Sequence, residues 1–226
     1  MVWLDNESNY YDYLNSLSKM DKIDWTRNLD NTNMEVLAIP VPVLRNLAKE
    51  IMKHDYISFL DKKMLNNYES TIIYGVIINN LKDINLIKKY LDIYVYFVDN
   101  WSCCDFLSIK TKDLDKLFDL GVSYTKSNKC FVRRVGYKIL FGFVKDSEYL
   151  DKIFKIINNH NEKEYYVNMM VAWLLCEAFI HNRELTIKYL DKHMLNDFTI
   201  NKFVSKCRDS FRVSKMDKDM LLKYRK

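Results

Sequence analysis

Glycine and proline are scarce in this sequence, with only 4 Gly and 2 Pro among 226 residues. Sheet-rich folds need both residue types in their turns, so this scarcity favours helices joined by short polar loops. Both prolines stand in Ile39-Pro40-Val41-Pro42. Because proline fixes φ and preforms the first turn of a helix, they predict a helix over Val43–Lys53. Before them, Lys19–Asn33 is a polar segment.

Motifs of several large enzyme classes are also missing. The chain has no Gly-rich phosphate loop, no HExxH sequence and no GxSxG sequence. Its 5 Cys include no CxxC pair and show no metal-ligand spacing with the 4 His. These absences argue against metal catalysis and nucleoside-triphosphate chemistry, so we expect no metal and no other cofactor. The odd number of cysteines is typical of reduced, buried thiols.

Long apolar runs and a secretory signal are missing as well. No apolar stretch reaches the roughly 18 residues that a membrane span needs. The first residues are acidic and polar, where a signal peptide is basic and then apolar. We therefore expect a cytoplasmic protein without a membrane span. The lack of a long heptad pattern indicates a monomer.

The composition that is present is that of a globular protein. Hydrophobic residues make up 49% of the chain and charged residues 29%. The net charge of +5, from 35 Lys and Arg against 30 Asp and Glu, is compatible with a polyanionic partner but does not require one. Because no linker or composition shift divides the chain, we predict a single domain over residues 1–226.

Apolar residues recur at helical spacing along most of the chain. Asp83, for example, is the predicted N-cap of an apolar helix that runs to Phe97. Long apolar helices are predicted to begin, at intervals of roughly 30 to 35 residues, near Asn66, Asn100, Lys129, Glu164 and Phe198. A shorter helix separates each from the next. A helix pair that recurs at this interval is typical of an α-solenoid, so we predict an all-α solenoid fold.

Trp101 and Asp105 stand four residues apart, after Asp99-Asn100. In a helix this spacing stacks the two side chains on one face. An indole ring beside a carboxylate suits a substrate that is, or becomes, positively charged. The ring attracts a cation, and the carboxylate adds charge or orients a water. The ordinary alternative is that Asp105 is a structural hydrogen-bond partner.

Later predicted helices carry residues that could join this pair. Trp173 lies midway along the helix predicted over Glu164–Ile180, and Arg133 and Arg134 lie on the long helix before it. Tandem solenoid units project equivalent faces to the same side, so these residues are candidates for one concave surface. The alternatives are plain core for Trp173 and a solvated face for the two arginines.

Two basic stretches are candidates for phosphate contacts, which gain affinity from counterion release. Arg45 and Lys49 recur at i, i+4 spacing on the Val43–Lys53 helix. From Lys202 to the last residue, nine basic residues stand against three Asp and alternate with aromatic residues. The candidates in this second stretch are Arg208, Arg212 and Lys215. Solvated helix faces are the alternative for both stretches.

Five segments, in this order, resemble the AlkD-like DNA alkylation repair proteins, which are HEAT-like-repeat DNA glycosylases. The segments are Ile39–Arg45, Asp99–Asp105, Val132–Phe141, Tyr165–Leu175 and Arg208–Lys215. The resemblance implies a curved α-solenoid of tandem HEAT-like helical repeats whose concave, basic face holds duplex DNA. Within the second segment, Ser102 and Cys103-Cys104 depart from the family's motif, which has an aspartate directly after the tryptophan.

The resemblance also implies a reaction, the hydrolysis of the N-glycosidic bond of cationic alkylated purines of the 3-methyladenine and 7-methylguanine types. It implies that Asp105 is the catalytic carboxylate, that Trp101 and Trp173 are aromatic contacts, and that Arg134 contacts the backbone of duplex DNA containing alkylated bases. The other expected DNA-binding residues are Arg133, Arg45, Lys49, Arg208, Arg212 and Lys215. Two alternatives stay open: a non-catalytic DNA-binding HEAT-repeat protein that recognises duplex shape or damage, and a protein-interaction solenoid.

Overall fold

The computed structural model describes residue 3, residues 6–158 and residues 162–226. These residues form fourteen α-helices and two 3-10 turns, Met20–Lys22 and Leu221–Tyr224, with no β-strand among them. The helices are α1 (Glu7–Ser16), α2 (Ile23–Asp30), α3 (Val41–Met52), α4 (Tyr56–Asp61), α5 (Tyr68–Asn80), α6 (Ile84–Phe97), α7 (Trp101–Phe106), α8 (Leu114–Thr125), α9 (Cys130–Phe141), α10 (Ser147–Asn158), α11 (Tyr165–His181), α12 (Arg183–Leu190), α13 (Asp197–Asp209) and α14 (Lys215–Met220). The all-α prediction is confirmed, and the helix order is consistent with a helical-repeat solenoid. Across the described part of the chain, no helix combines the length and apolarity that a bilayer crossing requires.

The predicted helix ends are close to the observed ones where a cap or a proline marks them. The predicted N-cap Asp83 accepts a hydrogen bond from the N–H of Asn85, so this prediction is confirmed. The helix expected over Val43–Lys53 is found as α3, which begins two residues earlier because Pro40 is its N-cap and Pro42 lies in its first turn.

The interpretation of Lys19–Asn33 as a polar segment missed α2. Its two largest apolar side chains, Trp25 and Leu29, are 66% and 53% exposed. A helix is recognised in a sequence by its buried apolar stripe, and α2 turns most of its residues to solvent. The polar pattern was therefore correct, but it belongs to a helix.

The helices divide into two compact units, Met1–Leu117 and Phe118–Lys226. In the first unit α5 packs against α3, α6 and α7, and in the second α11 packs against α9, α12 and α13. Most residues of α5 and α11 are buried, so the two helices are apolar on nearly all sides. Each unit therefore has one central helix that the surrounding helices cover. The single-domain arrangement of residues 1–226 stays a prediction.

A buried carboxylate fixes the segment that leads into α3. Glu69 of α5 is fully buried and accepts the N–H groups of Leu37 at 3.0 Å and of Ile39 at 3.3 Å. Ala38, between these two donors, has a φ of 57°. This left-handed conformation costs an L-residue about 1–2 kcal/mol. The two bonds hold the backbone on both sides of the strained residue, and burial raises the pKa of the Glu69 carboxyl.

Gly136 lets α9 approach the C-terminal half of α8 backbone to backbone. A Cβ atom at position 136 would lie 2.6 Å from the Thr125 nitrogen and 2.8 Å from the Gly121 oxygen. Backbone atoms cannot move aside as a flexible side chain can. A larger residue at this position would therefore push α9 away from α8.

We predict that Glu69→Gln lowers the free energy of unfolding by about 2 kcal/mol, because the new NH2 group faces a buried N–H group and leaves it unsatisfied. Urea unfolding at pH 7 measures the change. Glu50→Gln is the matched control, since Glu50 is exposed and pairs with Lys53 at the C-terminal end of α3, and it should leave the midpoint unchanged. Equal unfolding midpoints for the two variants would show that Glu69 does not hold this segment.

Candidate nucleic-acid interface

The Trp101–Asp105 pair lies on α7, a six-residue helix. A helix this short is not stable in isolation, because its few hydrogen bonds do not offset the unfavourable free energy of helix nucleation. Its first turn is capped by Asn100, whose Oδ1 accepts the N–H of Cys103 at 2.9 Å. The fully buried Asn100 also donates its amide to Asp99 at 3.0 Å. The N-terminal end of α7 is thus fixed by a buried side chain.

Side chains from α5 and α6 fix the rest of α7. Asn79 of α5 donates to the carbonyl of Phe106 at 2.8 Å and accepts the N–H of Ser108 at 2.6 Å. Tyr94 of α6 donates its hydroxyl to the carbonyl of Cys103 at 3.0 Å. These bonds satisfy backbone groups that a helix end leaves open. They hold α7 in one position on the core of the first unit.

The end of α2 and the segment after it add further bonds, to Trp101 and to Asp99 before it. The indole Nε1 of Trp101 donates to the carbonyl of Leu29 at 3.2 Å. The carboxylate of Asp99 accepts the Thr32 hydroxyl at 2.6 Å and the N–H of Asn33 at 2.7 Å. The indole ring therefore has a fixed orientation, and its only donor is already used. The sequence did not reveal this contact because α2 was not recognised.

Ser102 has a structural role that the sequence left open. The hydroxyl of Tyr68, the first residue of α5, donates to the Ser102 Oγ at 3.2 Å. Burial raises the pKa of the nearby Asp30 carboxyl, which is 4% exposed, and the two hydroxyl groups partly offset this rise. Ser102 thus connects the first turn of α7 to the start of α5.

Trp101 and Asp105 are both half-buried and lie one helical turn apart on α7, as their spacing predicts. The structure also brings Arg45 to this helix, with its guanidinium 5.9 Å from the ring centre of Phe106. Lys49, one turn after Arg45 on α3, is exposed. In the first unit, therefore, one cation from α3, Arg45, lies beside the C-terminal end of α7.

In the second unit, Trp173 lies between two lysines. The Lys138 Nζ of α9 is 5.0 Å from the indole centre, and the Lys206 Nζ of α13 is 5.9 Å from it. The ring of Phe141 lies against the same indole, with 4.7 Å between ring centres. Trp173 is half-buried, so the plain-core alternative is wrong. We call Lys138, Phe141, Trp173 and Lys206 the Trp173 cluster.

Aromatic and basic side chains continue beyond the Trp173 cluster. Tyr165 and Phe198 are exposed, with 5.6 Å between their ring centres, and the Lys202 Nζ lies 5.5 Å from the Phe198 ring. Rings interleaved with cations are typical of surfaces that bind nucleic acid. Sequence reasoning included Lys202 and Lys206 only as members of the C-terminal basic stretch, and it did not select Lys138 as a site residue. The i, i+4 spacing of Phe198, Lys202 and Lys206 was the available signal.

The two neighbouring arginines of α9 do not form a solvated face, so that alternative is wrong. Arg134 is 5% exposed and donates to the carbonyl of Tyr166. Arg133 pairs with Glu162 through two bonds, of 2.6 and 3.1 Å, and donates to the carbonyl of Ser127 at 3.0 Å. Both guanidinium groups connect α9 to the region before or at the start of α11. Their DNA-binding roles stay predictions.

The predicted C-terminal contacts differ in their surroundings. Arg212 forms two hydrogen bonds to the carboxylate of Glu177 on α11. Arg208 and Lys215 are exposed, and so is Phe211, which stands fully in solvent between α13 and α14. Arg212 thus attaches the C-terminal segment to α11, whereas the other two cations face solvent.

A family model described as "DNA alkylation repair enzyme" matches residues 12–202. The chain belongs to this family. The match confirms the family resemblance and includes four of the five segments, with Trp101, Asp105, Arg134 and Trp173 among the matched residues; the fifth segment, Arg208–Lys215, lies beyond them. A comparison with curated proteins finds no match. Membership of this family indicates that the protein functions in DNA repair and interacts with DNA. The expectation that Trp101 and Trp173 share one surface stays a prediction.

We predict that Asn100→Ala destabilises this DNA alkylation repair protein by about 2 kcal/mol, since it removes a cap and leaves buried groups unpaired. Thermal unfolding measures the change. Asn6→Ala is the matched control, because Asn6 caps α1 from an exposed position by accepting the N–H of Asn9, and it should cost at most about 1 kcal/mol. A smaller loss for Asn100→Ala than for the control would contradict the role given to the cap.

The Glu177–Arg212 pair predicts a pH dependence of stability. The Arg212 guanidinium holds the pKa of the Glu177 carboxyl below its ordinary value. A carboxyl whose pKa is lowered by folding stabilises the protein above its ordinary pKa, near about 4.3, and loses this contribution as the pH falls through the lowered value. Arg212→Gln should therefore cost about 1 kcal/mol at pH 7, because the guanidinium is partly exposed.

Urea unfolding of wild type and Arg212→Gln between pH 7 and pH 3 tests this dependence. The difference between the two proteins should shrink below about pH 4. Arg208→Gln removes the same charge from an exposed site on α13 and should show no such change with pH. A difference that stays constant across the pH range would mean that the ion pair does not stabilise the protein.

Proposed function

We propose that this protein is a DNA glycosylase, which binds duplex DNA and hydrolyses the N-glycosidic bond of cationic alkylated purines. The observation that carries the proposal is the half-exposed Trp101–Asp105 pair on α7, in a member of the DNA alkylation repair enzyme family. Lesions of the 3-methyladenine and 7-methylguanine types match the pair, because both bases are positively charged.

The proposed reaction asks little of the enzyme beyond charge stabilisation. The bond between C1′ and the base nitrogen breaks, and its electron pair moves to the base, which leaves as a neutral molecule. The sugar develops oxocarbenium character, and a water oxygen then forms the new bond to C1′ while its proton is lost. The Trp101 ring stabilises the cation, and the Asp105 carboxylate stabilises the oxocarbenium and orients the water.

Rigid placement of α7 supports this assignment. Catalytic charges are most effective when they are already oriented, since no reorganisation is then needed during the reaction. The bonds from Asn100, Asn79 and Tyr94 place the helix. The bond from Trp101 to the carbonyl of Leu29 uses the indole N–H. What the ring offers a substrate is therefore its face, which is the part that attracts cations.

The remaining site assignments are proposals of the same kind. The family match supports Arg134 and Trp173 as contacts to the bound DNA, because both lie within the matched residues. Arg45, which lies beside Phe106 of α7, and Lys49, one turn later on α3, are proposed phosphate contacts. The other proposed DNA contacts are Arg133, Arg208, Arg212 and Lys215.

We predict that wild-type protein releases 7-methylguanine from methylated duplex DNA and that Asp105→Asn reduces the rate at least about 100-fold, because it removes the charge that stabilises the transition state. Chromatographic quantification of free base under single-turnover conditions gives the rate. Asp92→Asn is the matched control, since Asp92 pairs with Lys88 on the surface of α6 in the same unit, and it should retain wild-type activity.

Binding measured in parallel separates the glycosylase from the non-catalytic alternative. Fluorescence anisotropy with a methylated duplex should give the same affinity for wild type and Asp105→Asn. Binding by wild type without release of any base would establish the non-catalytic DNA-binding function instead. Equal release rates for wild type and Asp105→Asn would remove Asp105 from the mechanism.

A further inference from the structure

The Trp173 cluster combines three helices around one indole. Trp173 lies on the central helix α11, and each flanking helix contributes one ammonium group, Lys138 from α9 at 5.0 Å and Lys206 from α13 at 5.9 Å. Lys138 also lies 5.0 Å from the ring centre of Phe141. The indole is thus already in contact with two cations that belong to the protein.

This arrangement is poorly suited to a cationic base. An aromatic ring attracts a cation through the negative charge on its face. Here two ammonium groups already interact with the ring, and they repel a third positive charge. An anion at the same place is attracted by both lysines. The family resemblance implies that Trp173 is an aromatic contact, whereas the two ammonium groups beside it favour an anionic ligand.

We propose that Lys138, Trp173 and Lys206 form a binding site for the phosphodiester backbone of one DNA strand. The two ammonium groups contact phosphate oxygens, and the indole holds the lysine side chains in place. The inference rests on the proposed function for its ligand, since it takes duplex DNA as the partner. It assigns Trp173 a role in placing cations, distinct from contact with the lesion.

The aromatic rings partly order these lysine side chains before any ligand binds, whereas surface lysines are usually mobile. A free lysine loses considerable side-chain entropy when it becomes ordered on a ligand. Lys138, held over two rings, has lost part of that freedom before binding. A lysine held over an aromatic ring is found again one turn before Lys206, where Lys202 lies over Phe198. Both α9 and α13 therefore present ammonium groups that are partly ordered in advance.

Counterion release provides the test. Each lysine that contacts a phosphate of B-DNA contributes about 0.9 to the slope of log K against log salt concentration. Lys138→Gln and Lys206→Gln should each reduce the slope by about 0.9, and the double variant by about 1.8. Lys188→Gln on α12 removes the same charge from an exposed position and should leave the slope unchanged. Anisotropy titrations with undamaged and with methylated duplexes, between low and physiological salt, supply the slopes.

The two duplexes distinguish the proposed phosphate site from a lesion site. If the lysines contact phosphate, Lys138→Gln and Lys206→Gln weaken binding to both duplexes by the same factor. If Trp173 contacts a cationic base, removing either lysine strengthens binding to the methylated duplex relative to the undamaged one. That second result, or slopes equal to the wild-type value, overturns the proposal.

Two controls keep the outcome interpretable. Trp173→Phe keeps a ring and should retain most of the slope, while Trp173→Ala frees the lysines and weakens binding to both duplexes. Circular dichroism and thermal unfolding confirm that each variant folds. Reduced slopes without base release by the wild type would support the phosphate site and reject the glycosylase. Base release with unchanged slopes would do the reverse, and a wild type that binds no DNA would reject both.

Discussion

The proposed chemistry depends on hydrogen bonds to a helix that is too short to hold its own shape. α7 contributes six residues, and its backbone is bonded by Asn100, Asn79 and Tyr94. If these side chains were absent, Trp101 and Asp105 would still be neighbours in the chain, but nothing would fix the ring relative to the carboxylate. These three polar side chains therefore matter for function because each has a backbone partner on α7.

Much of the fold could be predicted from the sequence, since helix starts depend on residues that are close together in the chain. Asp83 and the two prolines mark helix starts because capping involves residues only a few positions apart. The contact between Trp101 and Leu29 joins residues more than seventy positions apart, and no local pattern encodes it. The lysines around Trp173 come from α9 and α13, so their grouping appears only after the helices have packed. The i, i+4 spacing of Trp101 and Asp105 was informative because both lie on one helix.

Arginine and lysine have different tasks in the second unit. Arg133 and Arg212 each form a two-pronged pair with a carboxylate, and Arg134 donates to a backbone carbonyl. A planar guanidinium suits such contacts because several donors point in fixed directions. Lys138 and Lys206 instead place compact charges over an indole ring. A sequence count of basic residues treats all five alike, although the arginines mainly connect helices and the lysines line the proposed phosphate site.

Gly136 connects the packing of α8 and α9 to this distribution of charge. It stands midway between Arg134 and Lys138, at the point where α9 contacts the backbone of α8. Any side chain there would push α9 away from α8 and shift both cations relative to their partners on α11. A substitution that alters no charge could thus displace two charges at once. The smallest residue of α9 therefore fixes where the charged groups of this helix lie. Position 136 is a steric determinant of the surface that the protein would present to a polyanion.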